Sequence, residues 1–479
     1  MDGKHAFPAQ PALVAPLHRC SHPAHAFDVF CRLPHAFFLD SRLPDGRLGR
    51  FSFLGADPVL VASAKGRSLL LRHHGSEQRS NGNPFSLLRD ILDRHRIPPA
   101  PSPVPFVGGL VGFLAYDLCH FVERLPRTAA DDIDLPDMHF GLYDHIAAYD
   151  HLAEQWYAAS LRGEQGIARI DALLANAEPD TRFAHLPASA QPIAANFSRD
   201  AYLRAIRRAK DYIAAGDIFQ VNLSQRFQTS VALPPPELYR RLRQANPAPF
   251  AAYIALEECA GAVLSSSPER FLKVAHGRVE TRPIKGTRPR AAAPDEDARQ
   301  AAELLASPKD AAELTMIVDL ERNDLGRVCD YGSVVVTEHK TLEAYASVFH
   351  LVSTVEGRLH KTRDLVDLLK ASFPGGSITG APKVRAMEII DELEPTQRSV
   401  YTGSIGYIGL DGAADLNIAI RTILMHQGRA FFQVGGGIVA DSDPPAEYQE
   451  TLDKGQRLFQ ALGYQSASLA RAVELCTTP

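Results

Sequence analysis

Two segments in the C-terminal half of the chain each begin with a helix-start signal and place acidic side chains on one helical face. The first starts at Ser307 and Pro308, a typical N-cap residue followed by a typical first helical residue. Asp310 and Glu313 lie three residues apart, so a helix presents them on the same side. Such a face restricts the fold, because buried carboxylates need a counter-charge or a metal ion.

The second segment repeats this arrangement at Asp443, which precedes two prolines. Glu447, Glu450 and Lys454 fall at helical spacings of three and seven residues and share one face. One interpretation is a pair of solvated helix faces, since acids favour the first helical turn. The other is that both faces converge, in which case four carboxylates need a hard cation such as Mg²⁺. Spacing alone leaves both open.

Composition narrows the class of ligand and the compartment. The net charge of the 479 residues is −5, so there is no basic field for nucleic acid or an anionic membrane. The six cysteines are scattered without a Cys-x-x-Cys pair, which argues against a zinc site or a disulfide framework. We find neither a signal peptide nor a run of eighteen apolar residues, and we expect a cytoplasmic protein.

The chain divides at about residues 175–197, a linker candidate rich in proline, alanine and polar residues. We expect residues 1–175 to form an N-terminal region of strands and turns, and residues 198–470 to form a second domain that holds both acid-bearing helices. A helix is predicted from the N-cap Ser198 to Gly216.

A glycine-rich apolar segment spans residues 106–112 of the N-terminal region. Glycine inside a strand permits a bulge or close strand packing, and we favour that interpretation over ligand contact. In the C-terminal half, residues 333–337 and 430–434 are predicted strands.

Residues 283–290, Pro-Ile-Lys-Gly-Thr-Arg-Pro-Arg, resemble a signature of the chorismate-utilising enzyme family. Seven further blocks resemble the family's motifs in the family's order, at residues 218–222, 267–271, 319–327, 349–353, 375–383 and 435–442 and in the helix of Glu447, Glu450 and Lys454. Weaker likenesses extend into the N-terminal region at residues 39–41, 50–52 and 108–117. Any one block is weak, but eight in order leave little room for coincidence.

This resemblance implies an α+β fold in which two large antiparallel β-sheets pack as a sandwich with helices outside. The substrate site then lies in a cleft between the sheets, and residues 198–470 are the implied chorismate-binding catalytic domain. Within the family, lysine after Pro-Ile is characteristic of enzymes that place an amine on ring carbon C4 of chorismate, and this chain has Lys285 there. Enzymes that form anthranilate usually carry alanine instead. An anthranilate-forming enzyme and a non-catalytic chorismate- or tryptophan-binding subunit are the two alternatives.

The resemblance implies catalytic roles for Lys285, Glu269 and His350. Lys285 attacks ring carbon C2 while the C4 hydroxyl departs, ammonia then adds at C4, and Glu269 donates the proton to the leaving hydroxyl. The lysine must therefore be neutral and the glutamic acid protonated near neutral pH. His350 sits beside C4 in this scheme, and a hydrogen-bonded core histidine is the equal alternative.

The resemblance also implies a Mg²⁺ site that holds the ring carboxylate of the substrate. Glu313 and Glu450 match its direct ligands, while Asp310 and Glu447 match an outer pair that acts through water. Asp310 stands where relatives carry glutamate, so its reach is shorter. The implied substrate-binding residues are Gln220, Ser377, Tyr401, Arg421, Gly435, Gly437 and Lys454.

Two further features concern regulation and ammonia supply. Asp40, Ser41 and Ser52 resemble the tryptophan pocket of the family's N-terminal region. No cysteine has the flanking glycines of a glutaminase nucleophile, so we expect a separate glutamine amidotransferase subunit to supply ammonia.

Overall fold

Two large antiparallel sheets form the framework of this computed structural model. The structure describes residue 7 and residues 10–19, 22–41, 48–73, 75–177, 191–345 and 348–464. Residues 178–190 of the predicted linker and residues 465–470 of the predicted catalytic domain lie outside the described residues. None of the helices within these ranges is long and apolar enough to cross a membrane.

Ten strands come from the N-terminal region. They are β1 (Leu13–Leu17), β2 (Phe37–Asp40), β3 (Phe51–Gly55), β4 (Leu60–Lys65), β5 (Ser68–His73), β6 (Ser76–Asn81), β7 (Gly109–Leu114), β8 (Met138–Tyr143), β9 (His145–Asp150) and β10 (Gln155–Ser160).

Fourteen strands follow in the remainder of the described chain. They are β11 (Ala194–Ala195), β12 (Gln220–Ser230), β13 (Phe250–Leu256), β14 (Gly261–Ser267), β15 (Arg270–Ala275), β16 (Arg278–Arg282), β17 (Ile284–Pro289), β18 (Val335–Ala344), β19 (Val348–Arg358), β20 (Gly380–Ala381), β21 (Ser404–Gly409), β22 (Ala414–Asn417), β23 (Thr422–His426) and β24 (Arg429–Ile438).

The described chain also contains ten α-helices. They are α1 (Pro23–Phe30), α2 (Pro84–His95), α3 (Glu164–Ala175), α4 (Arg199–Ala214), α5 (Pro235–Ala245), α6 (Pro294–Ala306), α7 (Pro308–Gly326), α8 (Leu365–Ser372), α9 (Lys383–Leu393) and α10 (Pro444–Ala461).

Each sheet takes strands from both halves of the chain. Sheet 1 has the order β1-β10-β9-β3-β2-β13-β14-β23-β24-β12-β11, and β20 also pairs with β12. Sheet 2 has the order β17-β19-β16-β15-β22-β21-β7-β8-β4-β5-β6, and β18 also pairs with β19. The expected fold of two large antiparallel sheets with helices is confirmed. The two regions meet inside both sheets, at β2–β13 and at β7–β21, and the division at residues 175 and 198 stays a prediction.

Aromatic side chains connect the two sheets across a shared core. Phe53 on β3 of sheet 1 contacts Tyr407 on β21 of sheet 2, with ring centroids 5.6 Å apart. Phe37 on β2 contacts Tyr143 on β8 at 4.6 Å. Large buried rings such as these supply most of the apolar area that holds two sheets face to face.

Local capping determines where the two acid-bearing helices begin. The Ser307 side chain accepts a hydrogen bond from the Asp310 backbone N–H at the start of α7. The Asp443 side chain does the same for the Ala446 N–H at the start of α10. Both predicted helix starts are confirmed, as is α4, which the Ser198 side chain caps.

The other local predictions are met in part. Residues 430–434 lie inside β24, as predicted. Residues 333–337 overlap β18 only from Val335 onward. Both strands belong to longer segments than their apolar runs indicated, because neighbouring strands continue the pairing into polar residues.

The glycine-rich segment serves close strand packing, as predicted. β7 lies in the interior of sheet 2, between β21 and β8. A Cβ atom at Gly112 would lie 1.9 Å from the His139 carbonyl oxygen, and one at Gly109 would lie 2.4 Å from the Ile408 carbonyl oxygen. Backbone atoms cannot move aside as flexible side chains can, so these glycines set the spacing of the sheet.

Gly112→Ala should therefore destabilise the protein. We expect the free energy of unfolding to fall by about 1–3 kcal/mol, the usual cost of overpacking a core. Gly326→Ala is the matched control, because a Cβ atom at Gly326 meets nothing within 4 Å. Alanine in place of a helical glycine also lowers the backbone freedom of the unfolded chain. Urea unfolding of both variants measures the difference, and equal effects would refute this account of β7.

Candidate active site

A β-bulge at the edge of sheet 2 presents Lys285. On β17 the register against β19 shifts between Lys285 and Thr287, which leaves Gly286 as the extra residue. Gly286 has φ 75°, a left-handed conformation that favours glycine. A Cβ atom there would lie 2.8 Å from the Leu304 side chain and 2.9 Å from the Asp310 carboxyl carbon. A bulge re-aims the side chains beside it, and here it brings β17 against the acid-bearing helix α7.

The Lys285 amine meets the loop that carries Ser377. Its Nζ donates to the Ser377 carbonyl oxygen at 3.0 Å. The Ser377 side chain in turn hydrogen-bonds the carboxyl of Glu269, which also accepts from the Ile284 backbone. Three residues predicted from separate motifs, Lys285, Glu269 and Ser377, are thus brought together by β17, the β14–β15 connection and the turn Gly376–Ile378.

Burial changes the proton affinity of this pair in opposite directions. Desolvation raises the pKa of Glu269 to about 7, although Ser377 and Lys285 oppose the rise. Desolvation lowers the pKa of Lys285, although the negative charges of Glu313 and Glu269 oppose this fall. Removal from water disfavours the charged form of both groups, so the cleft favours a neutral amine beside a protonated acid.

The positive charge that helps to lower the pKa of Lys285 comes from a residue far away in the sequence. Lys454 on α10 adds to the fall in the Lys285 pKa. Arg282 instead pairs with Glu343, and Arg288 contacts Asp310 at 3.2 Å. The sequence neighbours Arg282 and Arg288 are therefore occupied with other carboxylates.

The predicted metal-binding acids of α7 and α10 face one cleft. Burial raises the pKa of Glu313, and the charge of Glu447 adds to the rise. Burial likewise raises the pKa of Glu447, to which Glu450 contributes. Lys309 at the start of α7 lies 4.0 Å from the Glu447 carboxylate of α10. The two helix faces therefore lie against each other, with Glu447 buried and the Glu450 side chain 49% exposed. Whether the four acids share a cation stays a prediction.

Asp310 differs from the other three acids. Its carboxylate is held by Arg288 at 3.2 Å, whereas Glu447 accepts from the Ser442 hydroxyl at 2.6 Å. Glu450 pairs with Lys454 at 2.6 Å. The short Asp310 side chain is thus part of the support of β17.

The donor set fits a magnesium ion that keeps part of its water shell. Carboxylate oxygens are its preferred ligands, and Glu313 and Glu447 carry mutually repelling charge that a cation would relieve. Within the described residues, no three of the four acids place carboxylate oxygens within 4.8 Å of one another. Mg²⁺ can be held by one or two carboxylates together with waters and substrate oxygens, so it does not require three of these acids to meet.

Three glycines of β24 form the opposite wall of the cleft. A Cβ atom at Gly436 would lie 3.3 Å from a Glu447 oxygen and 3.9 Å from Lys454 Nζ. A Cβ atom at Gly437 would lie 2.1 Å from the Gln220 side-chain nitrogen. Gln220 is fully buried, and neither polar atom of its amide has a hydrogen-bond partner in the described chain. An orphaned amide against bare backbone is suited to a polar ligand.

Arg421 and Tyr401 lie beside this wall. Burial lowers the pKa of Arg421 to about 10, while Tyr401 and Glu450 oppose the fall. The guanidinium forms no ion pair with any residue that the structure describes. The Tyr401 oxygen accepts from the Asn222 side chain, and a Cβ atom at Gly435 would lie 3.0 Å from it. A half-buried arginine that no carboxylate pairs favours an anionic ligand.

His350 supports the bulge. Its Nδ1 lies 2.9 Å from the Thr287 hydroxyl, and the Gly286 backbone hydrogen-bonds the ring. Burial lowers the pKa of His350 to about 4, with Arg421 adding to the fall. The neutral ring lies opposite Thr287 in the pairing of β17 with β19, and these contacts fit both of the roles that the sequence left open.

Glu321 is a buried acid whose position sequence reasoning missed. Its side chain accepts from the Gly376 backbone N–H at 3.1 Å, directly before Ser377. Burial raises the pKa of Glu321 to about 8, and Asp324 adds to the rise. The residue lies in the matched block 319–327, but a single acid inside a helix gives no signal that it faces a loop fifty residues away.

The predicted tryptophan-pocket residues lie apart from this cleft. Asp40 and Ser41 line a cavity of about 290 Å³ between the sheets, together with Phe51, Phe53 and Arg270. Ser52 lies behind them, where its hydroxyl accepts from the Ser41 backbone N–H at 3.1 Å. Arg243 pairs with Asp40 at 2.6 Å.

Comparison with known proteins agrees with these motifs. A family model described as chorismate binding enzyme matches residues 37–460. The chain is 43% identical to aminodeoxychorismate synthase component 1 of Klebsiella aerogenes over 94% of this chain and 99% of that protein. It is 42% identical to the protein of the same name in Escherichia coli, over 94% and 98%. Anthranilate synthase component 1 of Thermus thermophilus is 41% identical over 91% and 94%.

Solved structures share the architecture. Anthranilate synthase component I of Streptococcus pneumoniae superposes with a TM-score of 0.76 at 33% identity, over 87% of this chain and 93% of that one. The menaquinone-specific isochorismate synthase of Escherichia coli has a TM-score of 0.71 at 17% identity, over 96% and 97%, which indicates the fold alone.

The raised pKa of Glu269 predicts a specific pH dependence of stability. An unfolded glutamate titrates near pH 4.3, and the folded one near 7, so the folded state binds more protons between these values. Stability is then greatest below the lower value and falls as the pH rises to about 7. In urea unfolding, wild type should lose about 3 kcal/mol across this range relative to Glu269→Gln. A difference that is constant with pH would contradict the assignment.

Proposed function

The chain belongs to the family of chorismate-binding enzymes, and we propose that it acts as component 1 of an aminodeoxychorismate synthase. The proposal rests on Lys285, whose amine lies in the cleft beside the carboxyl of Glu269. The pKa of the lysine is lowered and the pKa of the glutamic acid is raised. Relatives that carry this name are 40–43% identical over most of the chain. The reaction joins chorismate and ammonia into 4-amino-4-deoxychorismate and water, a step towards p-aminobenzoate and folate.

The covalent route divides a difficult displacement into two steps. The neutral Lys285 amine forms a bond to ring carbon C2, the double bonds shift, and the C4 hydroxyl leaves as water with the proton of Glu269. Ammonia then bonds to C4, the double bonds return, and Lys285 leaves C2 as a neutral amine. A proton of the new C4 ammonium group returns to the Glu269 carboxylate. The lowered lysine pKa and the raised glutamic acid pKa both favour the protonation states that this sequence needs.

The polar groups of the cleft suit the rest of chorismate, which carries two carboxylates. Arg421 and Lys454 supply positive charge for carboxylates, while Tyr401, Gln220 and the bare backbone of Gly435 and Gly437 line the enolpyruvyl side. The Ser377 hydroxyl connects Glu269 to the substrate's hydroxyl. His350 stands next to Thr287 at the side where C4 would lie.

Glu313 and Glu450 would hold a Mg²⁺ ion directly, and Glu447 would act through water. The bound ion would neutralise the ring carboxylate, which would otherwise be repelled by a cleft lined with acids. Asp310 contributes indirectly, through its ion pair with Arg288.

An anthranilate-forming activity is the second candidate, because a relative of that name is 41% identical. When Lys285 occupies C2, ammonia can add at C4 but not at C2. The amine then lies para to the ring carboxylate, as in 4-amino-4-deoxychorismate and not as in anthranilate. NMR of the product made from chorismate, Mg²⁺ and ammonium separates the candidates, since anthranilate formation releases pyruvate.

Ammonia requires a partner in this proposal. The word component in the relatives' names implies a companion subunit, and we propose a glutamine amidotransferase in the cytoplasm. The isolated chain should use ammonium but not glutamine, and glutamine-dependent turnover without a partner would refute the arrangement.

The cavity at Asp40 and Ser41 is proposed to hold tryptophan. Its aromatic walls suit an indole, and Lys273 adds a positive charge to the lining, while Asp40 and Arg270 are already paired within the protein. Calorimetric titration with tryptophan tests this role, and an absence of binding heat would refute it.

Lys285→Ala tests the proposed nucleophile. We expect formation of 4-amino-4-deoxychorismate to fall by at least about 10³-fold, as when other enzymatic nucleophiles are removed. Mass spectrometry of wild type with chorismate and no ammonia should show an adduct that the variant lacks. The exposed Lys361 provides the control Lys361→Ala. Wild-type turnover by Lys285→Ala would assign the chemistry elsewhere.

Glu450→Gln and Glu313→Gln test the proposed metal site. Each removes one anionic ligand, so the Mg²⁺ concentration for half-maximal activity should rise at least about 10-fold. Mn²⁺ binding followed by electron paramagnetic resonance should weaken in parallel. Glu303→Gln, on the exposed side of α6, should leave both unchanged. An unchanged metal requirement in the cleft variants would refute the ligand assignment.

A further inference from the structure

Three side chains from distant parts of the chain meet away from the catalytic cleft. They are His35, two residues before β2; His139, on β8; and Glu258, in the turn Glu257–Cys259 between β13 and β14. One candidate ligand atom of each lies within 4.8 Å of the other two. We propose that these residues form a binding site for a divalent transition-metal ion of the zinc class.

His139 is held in the manner of a metal-binding histidine. The residue is 3% exposed, and its Nδ1 lies 2.9 Å from the Ser63 hydroxyl. With one ring nitrogen engaged by a supporting group, the other is left for a ligand. Metal-bound histidines commonly have such a partner, which sets the tautomer and orients the ring.

The His35 ring stacks on His139, with ring centroids 6.4 Å apart, and it makes no hydrogen bond to any residue that the structure describes. Its Nδ1 is buried without a partner in the described chain. Its Nε2 lies 3.9 Å from a Glu258 oxygen, beyond an ordinary hydrogen bond. The backbone is also strained, at φ 50°, and strain at a non-glycine residue often accompanies a binding role. A bound cation would give this ring the partner it lacks.

The ligand chemistry favours zinc over magnesium. Two imidazoles and one carboxylate suit Zn²⁺ and its neighbours in the transition series, whereas Mg²⁺ prefers oxygen alone. Three protein ligands leave a fourth position for water. The scattered cysteines had argued against a zinc site, but histidine and glutamate ligands from three separate strand ends leave no pattern in the sequence.

Arg72 of β5 is the competing cation. Its guanidinium lies 2.8 Å from Glu258 Oε1 and 3.0 Å from Glu77. It therefore has an alternative carboxylate in Glu77, but it occupies Glu258 Oε1, the same oxygen that faces His35 Nε2. Arg72 and a metal ion would compete for the Glu258 carboxylate. Removal of the Arg72 positive charge should therefore tighten metal binding.

Binding would tie the two sheets together. His139 belongs to sheet 2, whereas His35 and Glu258 border strands of sheet 1. The site shares no residue with the Lys285 cleft, so we assign it a stabilising role and expect turnover with Mg²⁺ to be independent of it.

The experiment is a titration of the full-length chain with Zn²⁺ and with Co²⁺ in excess Mg²⁺, which saturates the acidic cleft. We expect one Zn²⁺ per chain, and a visible Co²⁺ spectrum of four-coordinate type. The melting temperature should rise by about 2–3 °C when Zn²⁺ is about 100-fold above its Kd. His35→Gln and Glu258→Gln, both near the surface, should each weaken binding by about 10–100-fold, and Arg72→Gln should strengthen it.

Two control variants exclude other sites. His25→Gln removes one member of the His22–His25 pair at the start of α1, whose rings lie 6.0 Å apart, and Glu450→Gln alters the cleft. Both should bind Zn²⁺ as wild type does. Failure to bind Zn²⁺, or binding that is unchanged in both His35→Gln and Glu258→Gln, overturns the proposal.

Discussion

The catalytic cleft depends on one constraint, the removal of ionisable groups from water. The hydrogen bonds and charges around these groups replace only part of the lost hydration. Lys285, Glu269 and Arg421 each lose hydration, and burial is the largest influence on the pKa of all three. The desolvation raises the energy of the charged forms of the lysine and the glutamate. It leaves the arginine, which cannot lose its proton, in need of an anion. The fold meets this cost because both sheets and two helices surround the site.

The cleft is built from elements that contribute by different means. The bulge at Gly286 aims β17, the bare backbone of Gly435, Gly436 and Gly437 leaves space, and the caps of α7 and α10 determine where the acids begin. None of these features is chemically reactive. Each fixes the position of a reactive side chain, and catalysis depends on such placement as much as on the reactive group itself.

Local features of the fold could be predicted from the sequence, and long-range ones could not. Ser307 and Asp443 mark the starts of their helices in the sequence, because capping is a local interaction. The three-residue spacing of Glu447 and Glu450 likewise places both on one helical face. The convergence of the two helices depends on sheet pairing across the whole chain, which the motif resemblance implied and the spacing did not.

Four features of the structure had no local signal, three in the cleft and one outside it. Lys454 is close to Lys285 though it is far away in sequence, and Arg288 turns to Asp310. Glu321 supports the Ser377 loop from within a helix. The meeting of His35, His139 and Glu258 joins three strand ends. Each arises from packing between distant segments, where residue spacing carries no information.

The proton affinity of the Lys285 amine is the most direct test of this account. Competitive labelling with trace acetic anhydride at a series of pH values, followed by mass spectrometry of the peptides, reports the titration midpoint of individual lysines. The account predicts a midpoint for Lys285 below the ordinary lysine value of about 10.4. A midpoint at or above that value would mean that the amine is protonated in the cleft, and the proposed covalent chemistry would be contradicted.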